Sequence, residues 1–79
     1  MSKMIVTFKT VKQAQMVFGQ LCPIMAEKII GLSNILVSNR NIEYPDRFRA
    51  NLQEAVNLVG LNEEAYAIDE VPWDGPSEN

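Results

Sequence analysis

The stretch PIMAEKIIGLSNILVSNRNIEYP, residues 23–45, admits two readings, and the choice between them sets the architecture. Read as a helix, it lines up Met25, Ile29, Leu32 and Leu36 on one stripe with Pro23 near its start. Such a helix would enclose Gly31, Ser33, Asn34 and several β-branched residues, all poor helix formers. Read as extended chain, it gives two strands, EKIIGL (27–32) and NILVS (34–38), interrupted near Ser33-Asn34, with Asn39-Arg40-Asn41 turning afterwards. Turn formers breaking a β-branched run favour the extended reading, so residues 24–42 are expected to be extended chain.

The flanking segments are plainer. Met4, Val6 and Phe8 alternate with Ile5, Thr7 and Lys9, which predicts a first strand with one apolar face. Thr10 and Gln13 have the spacing of a capping box, and Val11, Ala14, Val17, Phe18 and Leu21 then recur at helical spacing until Pro23, which is expected to end that helix. A second helix is expected over YPDRFRANLQEAVNLVGL (44–61), with Pro45 in its first turn, Phe48, Leu52, Ala55, Val56 and Val59 as its stripe, and Gly60 as a left-handed stop. Asn62 opens a short turn through Glu63 and Glu64, and AYAIDEV (65–71) reads as a last strand before Pro72.

Strand, helix, strand, strand, helix, strand is the α+β, ferredoxin-like βαββαβ plan, with two helices on one face of a four-stranded antiparallel sheet. The alternative, if the middle is helical, is a mainly α domain with its terminal strands paired. Residues 1–73 are expected to form a single compact domain, with Val71 and Trp73 folded back on the edge of the core and 74–79 a flexible acidic tail.

Composition narrows the function classes. With 79 residues, 47% apolar and 22% charged, the chain fits one small globular domain, has no apolar run long enough to span a bilayer, and lacks the apolar core of a secretory signal. One cysteine cannot close an internal disulfide, which fits a cytoplasmic setting. The net charge of −3 hides a division: residues 1–42 hold five of the seven cations, and residues 43–79 hold nine of the ten acids.

The chain contains no histidine, the commonest general base and metal ligand near neutral pH. Cys22 falls at the negative end of the expected first helix, the wrong pole for a thiolate, and reads as a small buried thiol. Gly19, Gly31, Gly60 and Gly75 are too dispersed for a phosphate-cradling loop, and the acid pairs Glu63-Glu64 and Asp69-Glu70 read as hydrated surface. No catalytic, cofactor-binding or metal-ligating residue is therefore assigned, and an enzyme is not expected.

What remains favours binding. The second and third expected strands are apolar on both faces, which leaves Ile5, Ile29, Ile30, Leu36 and Val37 too many for one small core, so the uncovered sheet face is expected to be sealed by another protein or by a second copy as a homodimer. The expected contacts are Ile5, Ile29, Leu36, Arg47, Arg49, Asp69, Glu70, Trp73 and Asp74. AIDEVPWDG is similar over about six residues to the acidic ends of bacterial single-stranded-DNA-binding proteins, which dock on partner enzymes. Six residues follow Trp73, so the terminal carboxylate those ends present is missing here. In size and composition the chain is similar to accessory and inhibitor proteins of phages and other mobile elements. The alternative is a small nucleic-acid-binding regulator using Lys9, Lys12, Lys28 and Arg40 of the basic N-terminal half.

Overall fold

The computed structural model describes residues 2–28 and 31–72. Strand β1 (Ser2–Phe8) buries Met4, Val6 and Phe8 and leaves Lys3, Ile5 and Thr7 half-buried on its other face, as strict alternation requires. Helix α1 (Val11–Glu27) starts at a complete capping box. The Gln13 N–H donates to Thr10 Oγ1 at 3.1 Å, and Gln13 Oε1 accepts from the Thr10 N–H at 3.3 Å. Thr10→Ala is expected to cost about 1 kcal/mol, read as a lowered urea midpoint at unchanged slope. An unchanged midpoint would show that the cap contributes nothing.

Helix α1 does not stop at Pro23 but continues to Glu27. A proline inside a helix costs about 3 kcal/mol through its missing N–H and the clash with the preceding turn. Continuing the helix buries Ile24 and Met25 beside Leu21, and each such side chain contributes roughly 1.5–3 kcal/mol. Burial therefore outweighs the proline, and the expected strand EKIIGL is not formed: Glu27 closes the helix, Lys28 is a turn, and Gly31 and Leu32 lie in the connection.

Extended chain begins only at β2 (Leu36–Ser38), inside the expected NILVS. Asn39, at φ 53°, and Arg40 then form a two-residue hairpin loop. Asn41 is not part of the turn. It opens β3 (Asn41–Pro45), whose alternation buries Ile42 and Tyr44. Pro45 thus ends a strand rather than starting a helix; a single 3-10 turn (Asp46–Phe48) intervenes before α2 (Arg49–Val59). Gly60, at φ 88°, supplies the left-handed stop, and its N–H and that of Leu61 both donate to the Val56 carbonyl. Asn62 caps a second 3-10 turn (Glu63–Ala65) by accepting from the Glu64 N–H, and β4 (Tyr66–Pro72) is the last described element.

The four strands form one antiparallel sheet in the order β2-β3-β1-β4. The chain is a small α+β domain of the ferredoxin-like kind. The core lies between the sheet and the two helices. Its largest fully buried members include Tyr44 and Phe8 from the sheet, Leu21 and Met25 from α1, and Leu52 from α2.

Candidate protein-docking face

Register decides what the side of the sheet away from the helices displays. Leu36 pairs with Glu43, Glu43 with Ile5, and Ile5 with Asp69, so these four residues form one row across all four strands. The row above it holds Ser38, Asn41, Thr7 and Ala67, and the row below holds Pro45, Lys3 and Val71. Exposure of this side is uneven: Ser38, Ala67 and Asp69 are exposed, Lys3, Ile5, Thr7, Asn41, Glu43 and Val71 are half-buried, and Pro45 is buried. Leu36 is 61% exposed, the largest value among the described large aliphatics.

The middle row thus alternates aliphatic and acidic groups, the row above it is small and polar, and the row below carries the cation Lys3. Lys3 lies 3.2 Å from Glu43, both partly exposed, so the pair is worth no more than about 1 kcal/mol. Asp69 makes no ion pair among the described residues. Negative potential therefore persists over the row of Leu36, Glu43, Ile5 and Asp69.

The expected contact residues do not form a single patch. Ile5, Leu36 and Asp69 come together on the open face. Val37, in register with the buried Ile42, is on the helix side of β2 and is still 39% exposed. Glu70 is also on the helix side, in register with Met4, and its Oε1 lies 3.9 Å from an Arg49 guanidinium nitrogen. Both side chains are more than half exposed. Arg47 places its guanidinium 4.8 Å above the Phe48 ring. Arg49, which also donates to the Met4 sulfur at 3.7 Å, therefore does not share a face with Ile5 and Leu36. Ile29, Ile30, Trp73 and Asp74, together with the flexible tail over 74–79, lie outside the described residues; of the expected fold-back only Val71 is described, and it continues β4 in register with Lys3.

Glu43 is a member of the face that sequence reasoning missed. Its signal was the alternation Asn41, Ile42, Glu43, Tyr44, obscured because Asn39-Arg40-Asn41 reads as a turn and Tyr44-Pro45 as a helix start.

Other chemistry is sparse. Among the described residues no group of three or more His, Cys, Asp or Glu side chains is placed to hold a metal. Two shallow cavities of about 250 Å³ fall below the usual range for small-molecule sites, which starts near 300 Å³. One lies between the C-terminal half of α1 and Leu58 of α2; the other lies at the end of the sheet beside Lys9 and Arg40. Cys22 is half-buried within α1, one turn before its end, rather than fully buried.

The basic residues also separate. The Arg40 guanidinium donates to the Lys9 carbonyl at 3.5 Å, and Lys12 follows in the first turn of α1. Lys28 sits sixteen residues further on, roughly 24 Å along the helix. Aromatic stacking platforms are absent from the open face among the described residues: Phe8 and Tyr44 are buried on the helix side, and Tyr66 packs against Phe8 with ring centroids 6.0 Å apart. No helix of the described residues is long and apolar enough to cross a membrane. No protein-family model matches the chain, and no curated protein or solved structure is significantly similar to it.

Proposed function

We propose that this chain is a cytoplasmic, non-catalytic binding protein that docks through the open face of its sheet on a larger protein and alters that protein's activity by occupying its surface. The observation that supports this reading is the row Leu36, Glu43, Ile5 and Asp69, which sets the exposed Leu36 and the half-buried Ile5 beside Glu43, paired with Lys3, and Asp69, which makes no ion pair among the described residues. Apolar groups provide the burial that drives association, and fixed charges select the partner. The complementary surface is aliphatic with interspersed cations. A homodimer through the same face would bring two copies of this acid-bearing row together, and so is the weaker form of the proposal.

Leu36→Asp tests it, with Leu58→Asp as a matched control. Leu58 is 60% exposed and lies on α2, on the opposite side of the molecule. Both variants are expected to keep wild-type stability within about 1 kcal/mol, since neither side chain is buried. Proximity labelling or cross-linking in the source cell is expected to recover one defined protein with wild type and Leu58→Asp, and to lose it with Leu36→Asp. Equal recovery with both variants would exclude the sheet face.

A second reading, nucleic-acid binding, draws on the grouping of Lys9, Lys12 and Arg40 at the start of α1. It predicts oligonucleotide affinity that falls steeply with salt and is lost on Lys9→Glu/Arg40→Glu.

A further inference from the structure

The two edges of the sheet differ. On one side β2 is three residues long; on the other β4 runs for seven residues, Tyr66–Pro72, paired only to β1. The outer backbone N–H and C=O groups of β4 have no strand partner among the described residues, which makes the edge a template for an added strand. The side chains of this edge decide what can be added. Asp69 projects on the open face and Glu70 on the helix side, both are exposed, and Glu63 and Glu64 stand just before the strand. Among the described residues Arg49 pairs with this edge, 3.9 Å from Glu70.

A second copy is a poor occupant. Pairing β4 with its own copy in antiparallel register brings Asp69 and Glu70 close to their counterparts, and like charges opposite one another in a sheet are destabilising. Opposite charge reverses the sign. Residues facing Asp69 and Glu70 from an added strand are consecutive in sequence and point to opposite faces. We infer that the β4 edge takes up an extended segment of a protein partner carrying two consecutive basic residues, one against Asp69 and one against Glu70. The inference rests on the protein-docking reading and adds a fifth strand to the row that already ends at Asp69.

The probe is a synthetic peptide, Thr-Val-Arg-Arg-Val-Thr with blocked ends, compared with the same peptide carrying Glu-Glu in place of Arg-Arg. Binding is followed by fluorescence anisotropy and by amide hydrogen exchange of the whole 79-residue chain. The dibasic peptide is expected to bind on the order of tenfold more tightly than the acidic one, more weakly as salt rises, and to slow exchange at those β4 amides that do not bond to β1. In Asp69→Lys/Glu70→Lys the preference is expected to invert. Equal binding of the two peptides, protection confined to Ile5 and Leu36, or no protection of β4 at millimolar peptide would each overturn the inference. The face itself stands or falls separately, on loss of the cellular partner in Leu36→Asp.

Discussion

Val6→Lys is expected to abolish folding, whereas Ile5→Lys, one residue earlier on the same strand, is expected to leave stability within about 1 kcal/mol of wild type. Val6 is 0% exposed and is flanked in register by Ile42 and Ile68, so an ammonium there has neither water nor a counter-charge. The penalty, roughly 4 kcal/mol or more, compares with the whole stability of about 4–12 kcal/mol for a chain of this size. Ile5 is half-buried on the open face, with Glu43 on one neighbouring strand and Asp69 on the other. A lysine there would reach both carboxylates, and its cross-strand attraction offsets the lost aliphatic contact. Urea titration followed by circular dichroism separates the two variants. Failure of Ile5→Lys with tolerance of Val6→Lys would mean that the faces of β1 are exchanged, as a one-residue slip would do; equal outcomes for both would show that β1 does not have one covered and one uncovered side.

Tyr44→Phe is expected to stabilise the protein, and more so as pH rises. Tyr44 is 1% exposed on the helix side of β3, and its hydroxyl has no hydrogen-bond partner among the described residues. A buried unsatisfied hydroxyl costs about 1–3 kcal/mol, so phenylalanine should gain on the order of 1 kcal/mol near neutral pH, the small void left behind offsetting the rest. Burial pushes the Tyr44 pKa up to about 12 from 10.0; the nearby Arg49 charge opposes the shift and Tyr66 adds to it. Because the folded-state pKa lies above the unfolded one, the unfolded chain releases this proton first. Wild-type stability should therefore fall between about pH 10 and about pH 12, by roughly 2–3 kcal/mol from this group. The gap in urea midpoint between Tyr44→Phe and wild type should widen across that interval. A constant gap would show that the hydroxyl titrates as freely in the folded protein as in the unfolded one.

The fold class was legible because local signals agreed with tertiary packing at most element ends: the Thr10 capping box, the Gly60 stop, the Asn62 cap and the alternation of β1 all stand as the residues indicate. The middle of the chain was not legible in detail. Pro23 is a strong local stop signal, but its cost is exceeded by burial of Ile24 and Met25, and that gain depends on a sheet whose location no local window contains. The order of strands survived this error by compensation: the expected strand over 27–32 did not form, while Asn41–Pro45 supplied the missing one.

The docking face was half legible for the same reason. Alternation placed Ile5 opposite Val6 and Asp69 opposite Glu70, and exposure of Leu36 followed from an excess of aliphatics. Glu43 required the true limits of β3. The side on which Arg49 lies required knowing that α2 starts four residues after Pro45. Sequence spacing alone carries neither.

The central claim is that a sheet covered on one side presents Ile5 and Leu36 to solvent for a partner. Methyl NMR of the isolated chain with a soluble gadolinium chelate tests it most directly, since broadening reports distance from bulk water. Ile5, Leu36 and Val71 methyls should broaden strongly while Val6, Ile42 and Leu52 remain sharp. Ile5 and Leu36 methyls as sharp as those of Val6 in a dilute monomer would contradict the account, because the face would then be closed within the chain itself.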